Sequence, residues 1–286
     1  QTKAPRGIRL IKGSHLVVRR FHDFPGAFIL QNTDRRIVFV LPFQDEFSLI
    51  GTTDKEYTGD PSKVSIDSDE INYLLNVVNE HFVAQLKPED VVHTYSGVRP
   101  LCDDESSDPS AITRDYTLEL DAPDNTLPLL SIYGGKITTY RKLAESALSH
   151  LAPFFPSMGG RWTADRCLPG ATLQLKSLRD VRDMLGELYP ELPGNLLDRF
   201  SRSYGTLAVR LLGNAQRVRD LGEHFGGTLY AREVDYLMRE EWVEHPEDLL
   251  WRRTKQGLFL NAEQKSQLHA YMLKTQGQTA VARIAS

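Results

Sequence analysis

Five short stretches of the sequence carry residue types whose spacing suits chemistry. The longest is Tyr133-Gly134-Gly135-Lys136-Ile137-Thr138-Thr139-Tyr140, where a β-rich run ends in a glycine pair and a helical period starts at once. A helix that opens this way presents unpaired backbone N–H groups, and such a terminus stabilises negative charge. Gly134 and Gly135 remove the side chains that would hold a flat ring off the backbone. Lys136 adds an ammonium at the same place, and Thr138 or Thr139 stands where a cap belongs. A phosphate, a carboxylate or the N1–C2=O edge of a reduced flavin all suit this site; the plain alternative is a tight turn with a capped helix start. In Ser96-Gly97-Val98-Arg99-Pro100-Leu101 a strand ends in a guanidinium, which forks onto phosphate or carboxylate, or else pairs on the surface with Asp103 or Asp104. In Ile112-Thr113-Arg114-Asp115-Tyr116 a regular strand turns Arg114 and Asp115 to opposite faces, so that one of them faces a cleft. Lys12-Gly13-Ser14-His15 places an imidazole at the start of a strand. Neutral imidazole accepts a proton from an alcohol, its unperturbed pKa being about 6.5, although in a chain with 8 histidines any one is more often structural. Gly51-Thr52-Thr53-Asp54 closes another strand, and Thr53 there is a candidate to hydrogen-bond a ligand.

The elements that must position these residues follow from periodicity. Short β-rich runs at residues 8–11, 15–18, 27–30, 36–41 and 47–52 predict several antiparallel strands. Residues 67–82 switch period, with Ile71, Leu74, Leu75, Val78 and Phe82 on one helical face and Asp67 or Ser68 as cap. Strand patterns return at 93–98, 111–120 and 129–133, giving a sheet interrupted by a helix with no repeated parallel β-α-β unit. A helix then carries Leu143, Ala144, Ala147, Leu148 and Leu151 on one stripe and ends at Pro153. Residues 153–160 read as a linker. Helical faces follow at 178–188, 196–204, 229–242, 246–258 and 263–273, the last capped by Asn261. The expectation is an α+β fold, with a first domain over residues 1–155 and an all-helical domain over residues 156–286.

Composition closes off several classes. With 286 residues, 41% hydrophobic and 25% charged, the chain buries a sizeable core. Thirty-four Lys and Arg against 38 Asp and Glu give a net charge of -4, so no global field draws nucleic acid. Cys102 and Cys167 make no disulfide framework and no zinc-type spacing, so no metal site is expected and a reducing compartment fits. No apolar run reaches the roughly 20 residues needed to span a bilayer. There is no G-x-G-x-x-G after a strand, no P-loop and no G-x-S-x-G elbow. The first residues run into strand-like sequence without a Met or signal peptide, which reads as a chain cut from something longer.

Taken together, Ile8-Arg9-Leu10-Ile11-Lys12-Gly13-Ser14-His15, Gly51-Thr52-Thr53-Asp54, Tyr95-Ser96-Gly97-Val98-Arg99-Pro100-Leu101-Cys102-Asp103-Asp104, residues 134–145 and residues 249–257 resemble the bacterial aerobic, FAD-dependent glycerol-3-phosphate dehydrogenases over essentially the whole chain. The resemblance implies a fold similar to the glycine-oxidase and D-amino-acid-oxidase group: an antiparallel sheet capping the substrate, a returning flavin-side strand and helix, and an added helical C-terminal domain. In that family the FAD fingerprint is N-terminal, and this chain is expected to begin after it. The implied reaction oxidises sn-glycerol 3-phosphate to dihydroxyacetone phosphate on FAD and passes electrons to membrane quinone. That places the protein in the cytoplasm, peripheral on the inner face of the membrane, with residues 242–259 lying in the interface or packed as a buried helix. By resemblance Arg99 clamps phosphate or hydroxyl oxygen, Arg114 adds a second cation and His15 takes the C2 hydroxyl proton. Lys136 and the amides opening the following helix hold the flavin's negative charge. The competing readings are an amine or amino-acid oxidase of the same fold and an inert interaction fragment. Without its covering region the chain is expected to expose an apolar face and self-associate, in the simplest case as a homo-oligomer.

Overall fold

A computed structural model describes residues 7–102, 115–123 and 127–285. The chain divides into two compact units, Gln1–Ala164 and Asp165–Ser286. The first is organised on one long strand, β1 (Ile8–Arg19), with β6 (Val91–Cys102) antiparallel along almost all of it, from Ile8 opposite Cys102 to Val18 opposite Val91. The other edge of β1 is shared by β4 (Phe47–Gly51), which pairs with residues 15–19, and β5 (Lys55–Glu56), which pairs with residues 11–12. Outward from β4 lie β3 (Ile37–Phe43) and β2 (Phe28–Gln31). The sequence suggests two strands here, at 8–11 and 15–18, split at Gly13, yet the ladder runs straight through. A glycine inside a strand marks a bulge or a close approach as often as a turn, and Gly13 lies directly opposite Gly97 in the register.

One face of this sheet is covered by α1 (Ser68–His81). Leu16, Val18, Leu30, Val38, Val40 and Ile50 from four strands bury against Leu74, Leu75, Val77 and Val78, each contributing about 1.5–3 kcal/mol by leaving water. The helix starts in a capping box: Asp67 accepts from Glu70 N–H at 2.9 Å, and Glu70 Oε2 accepts from Asp67 N–H at 3.1 Å. The Glu70 N–H, with Lys55 and Lys12 beside it, holds the Asp67 carboxyl well below the usual range. Glu70 itself is buried and receives Lys12 Nζ at 2.5 Å, Ser14 Oγ at 3.0 Å and Thr53 Oγ1 at 2.7 Å. This polar knot under the sheet ties β1 and the segment after β4 to α1.

Beyond β6, β7 (Tyr116–Asp121) and β8 (Leu129–Gly134) form an antiparallel pair that leads into α2 (Tyr140–Leu151). The expected strand over 111–120 is seen only from Tyr116, because residues 103–114 lie outside the described residues. A 3-10 turn at Ile137–Thr139 intervenes before α2, so neither Thr138 nor Thr139 caps the helix with its side chain. Leu143, Ala147 and Leu151 on the α2 stripe stay only half-buried, and Glu145 is its buried residue.

The second unit is helical: α3 (Leu178–Leu188), α4 (Gly194–Tyr204), α5 (Leu207–Leu212), α6 (Ala231–Glu240) and α7 (Ala262–Ala285), with a short hairpin of β9 (His224–Gly226) and β10 (Leu229–Tyr230). Its core is built from leucines and aromatics such as Leu185, Leu196, Phe200, Phe225, Leu237 and Leu268. Arg199 is buried there in a two-pronged pair with Glu233, which also accepts from Tyr204 Oη at 2.6 Å. The helix expected over 229–242 begins only after the β9–β10 pairing. That expected over 246–258 is a π-helical turn at Asp248–Arg253 followed by a 3-10 turn at Gln256–Leu258. Thr254 explains the break, since its hydroxyl donates to Leu249 O at 2.7 Å and accepts from Gln256 N–H at 3.1 Å, replacing the regular ladder.

Candidate active site

Side chains alternate across β1. Lys12, Ser14, Leu16 and Val18 point to α1, while Ile11, Gly13, His15 and Val17 belong to the opposite face. On that face the register sets Arg99 opposite Ile11, Gly97 opposite Gly13, Tyr95 opposite His15 on one edge, and Gly51 opposite His15 on the other. Two of these glycines exist to let a side chain pass. A Cβ on Gly13 would stand 2.6 Å from Arg99 Nη2 and 2.8 Å from Thr52 Oγ1, so the guanidinium lies across Gly13; a Cβ on Gly51 would run into the His15 ring. Over Gly97 there is open space. The sheet therefore offers a bare backbone floor between an arginine and a histidine.

Arg99 is held from behind, its Nη1 donating to Asp54 Oδ1 at 2.6 Å and its Nη2 to Thr52 Oγ1 at 3.4 Å. Asp54 is its carboxylate among the described residues; Asp103 and Asp104 lie outside them. His15 stacks on Tyr95 with ring centroids 4.8 Å apart and planes 10° from parallel. Its Nδ1 is buried and has no hydrogen-bond partner among the described residues. Burial first, and the nearby Arg99 charge second, lower the His15 pKa to about 4. The imidazole is therefore neutral at physiological pH and able to accept a proton.

A cavity of about 610 Å³ adjoins this floor, walled on one side by Arg99 with its β6 neighbours and on the other by Gly134, Gly135, Lys136 and Ile137. Gly134 and Gly135 have φ of 69° and 97°, the left-handed region that only glycine enters freely. No side chain caps the turn behind them, and Thr139 Oγ1 donates instead to Lys136 O at 2.9 Å. Exposed backbone, an uncapped helical start and an ammonium in one cavity wall fit a flat anionic ring such as a flavin edge.

Of the residues singled out from sequence, Arg99, Gly134, Gly135 and Lys136 line one cavity, with His15 on the same sheet face as Arg99. Thr138 and Thr139 lie in the turn directly behind. Thr53 is a correction: it is buried on the α1 side of the sheet, its hydroxyl donating to Glu70 and accepting from Ser14 N–H at 3.0 Å, and it does not face the Arg99 side. Its neighbours Thr52 and Asp54 take the place beside Arg99. Arg114 lies outside the described residues. The sequence reading missed Tyr95 as the partner of His15 and the Gly13–Gly97 pair; glycines at matching positions of two strands were the available signal.

The cavity and its glycine turn suit a protein that handles a flavin, and comparison with known proteins points to the same class. The profile of the FAD dependent oxidoreductase family matches residues 2–141, and that of the C-terminal domain of alpha-glycerophosphate oxidase matches residues 161–276. The first half of the chain is thus similar to that family and most of the second to the alpha-glycerophosphate oxidase C-terminal domain. Among individual proteins the similarity is to glycerol-3-phosphate dehydrogenases: 55% identity to that of Pseudomonas aeruginosa over 94% of this chain and 52% of the relative, and 54% identity to the aerobic enzyme of Escherichia coli K12 over 95% and 54%. The D-erythritol 1-phosphate dehydrogenase of Brucella abortus is 42% identical over 91% of this chain and 52% of its own. The solved glycerol-3-phosphate dehydrogenase of Bacillus halodurans, in complex with FAD, superposes with a TM-score of 0.74 at 26% identity, over 98% of this chain and 54% of that one. The chain spans about half the length of the curated relatives it matches.

Proposed function

We propose that this chain supplies the substrate side and part of the flavin side of an FAD-dependent glycerol-3-phosphate dehydrogenase, which oxidises sn-glycerol 3-phosphate to dihydroxyacetone phosphate. The observation that carries this reading is the single cavity that has Arg99 on one wall and Gly134-Gly135-Lys136 on the other. Bound there, FAD supplies the two-electron redox chemistry. Arg99, with one N–H fixed by Asp54 and one by Thr52, directs its remaining donors to a phosphate or alcohol oxygen of the substrate. His15 accepts the proton of the C2 hydroxyl. Lys136 and the backbone at the head of the Ile137–Thr139 turn stabilise negative charge on the flavin edge. Thr138 and Thr139 shape that turn and are the remaining cofactor-side candidates. Gly13 and Gly97 keep the floor flat so that a small polyol phosphate reaches both Arg99 and His15. The relatives support a phosphorylated polyol, since those of Pseudomonas, Escherichia and Brucella are all named for one. An amino acid would require only one cation for its carboxylate, whereas a phosphate dianion is served by Arg99 together with Arg114 as the second cation, a residue outside the described ones.

Electron transfer to a membrane quinone, and peripheral attachment to the inner face of the membrane, belong to the same proposal. No helix among the described residues is long and apolar enough to cross a membrane. Residues 242–259 are a poor anchor, because Leu249, Leu250 and Leu258 are buried in the helical unit. A Trp251→Ala, Arg252→Ala protein is expected to bind lipid vesicles as the parent does, and a loss of binding would make this stretch the anchor. The test of the site is Arg99→Ala in the flavin-loaded protein. KM for glycerol 3-phosphate rises about 100-fold, the equivalent of about 3 kcal/mol for a charge-assisted fork; unchanged kinetics would remove Arg99 from the site.

A further inference from the structure

We propose that Tyr95 is the positioning residue for His15: a stacked phenol ring, in place of a hydrogen bond, sets the plane of the imidazole on the sheet face that carries Arg99. The assignment rests on the role proposed above for His15. A histidine that moves protons is ordinarily oriented through its second nitrogen, by a carboxylate or a backbone carbonyl. Here Nδ1 is buried and unpartnered among the described residues, so none of them orients the ring through such a bond.

Two neighbours do so in its place. Tyr95 stands directly opposite in the β1–β6 register, the arrangement that brings two side chains face to face, and its ring lies 10° from parallel to the imidazole. On the other edge Gly51 is opposite, and any Cβ there would meet His15 Cδ2, Cγ and Nε2. A flat ring on one side and bare backbone on the other leave the imidazole a slot one ring thick, which suppresses rotation out of plane. Tyr95 also covers one face of the imidazole from water, which sustains its neutral form. Among the described residues, the other charged or titratable groups on this face include Arg99 on β6, Asp54 after β4, engaged with Arg99, His93, two residues before Tyr95 on β6, and Arg9 on β1, paired with Glu56 of β5.

The experiment combines His15 ring titration by NMR with steady-state kinetics of the flavin-loaded protein, for the parent, Tyr95→Phe, Tyr95→Val and Tyr95→Leu. In the parent and Tyr95→Phe, His15 titrates near 4. In Tyr95→Val and Tyr95→Leu it moves up by about one unit or more as water reaches the exposed face, and kcat falls about tenfold or more while KM for glycerol 3-phosphate stays within about threefold. Tyr95 is 44% exposed, so these changes leave the sheet intact, and the leucine variant keeps apolar bulk without a flat ring. An unchanged titration together with unchanged kcat in the valine and leucine variants overturns the proposal, as does Tyr95→Phe being as impaired as they are. A His15→Gln protein with parental kcat would instead overturn the proton-accepting role, and the titration arm would still report whether Tyr95 governs the ring.

Discussion

Arg99 and His15 are electrostatic opponents: the guanidinium that binds the anion also helps hold the imidazole pKa near 4. A substrate dianion beside Arg99 offsets that charge, and His15 becomes a stronger base once substrate is bound. The acid limb of kcat/KM, which reports the free protein, is therefore expected at lower pH than the acid limb of kcat, which reports the bound form; coincident limbs would dissociate the two residues. The same depressed pKa has a stability consequence. Between the unfolded value of 6.5 and the folded value of about 4 the unfolded chain binds more protons, so stability falls as pH is lowered through that window. The loss is about 2 kcal/mol after discounting for the ring's partial contact with solvent, and His15→Gln should abolish it in urea titrations at pH 4 and 7. Gly97 supplies a separate probe of the floor. A methyl there meets open space, so Gly97→Ala leaves the thermal midpoint within a few degrees yet raises KM by entering the ligand's volume. Arg99, Gly134 and Lys136 were legible in the sequence because strand ends and glycine-lysine turns are local patterns. The His15–Tyr95 stack and the Arg99–Asp54 pair were not, because register alone joins residues 80 and 45 positions apart.

At the scale of elements, the site depends on α1 through Glu70. Its carboxylate is buried with Lys12 and holds Thr53, the residue between the two that grip Arg99. Removing one partner of a buried pair costs about 3–5 kcal/mol, since the other charge stays buried and unpaired. Glu70→Ala is accordingly expected to lower the denaturation midpoint sharply, whereas Leu74→Ala, a cavity substitution in the same core, costs about 2–5 kcal/mol. The first also loosens the 52–54 segment and raises KM; the second leaves KM near the parent value. Periodicity revealed α1 and most strands, and Asp67 as one of two candidates for its cap. It misread β1 as two strands, because Gly13 carries a turn-like residue type for a reason that exists only in three dimensions. It misread 246–258 as a regular helix, because Thr254 captures a backbone carbonyl and nothing in an apolar stripe announces that.

At the scale of the whole molecule, the two units differ in how well they cover their own apolar surface. The helical unit encloses a large leucine-rich core. In the first unit Leu129, Ile132, Ile137, Tyr140 and Leu148 of β8, the following turn and α2 are 62%, 49%, 86%, 48% and 49% exposed. Exposed apolar side chains concentrated on one pair of elements mark a surface made for contact. The purified chain is expected to self-associate with a concentration dependence that Ile137→Ser, Leu148→Ser reduces; light scattering showing a monodisperse monomer for the parent would refute this. The most direct test of the central claim is a crystal structure of the flavin-loaded protein with glycerol 3-phosphate bound. The account predicts a phosphate or C2 oxygen within about 3 Å of the Arg99 guanidinium, the imidazole of His15 on the same ligand, and the Gly134-Gly135-Lys136 backbone against the isoalloxazine. A substrate seated away from Arg99, or a flavin that leaves this glycine turn untouched, would contradict it.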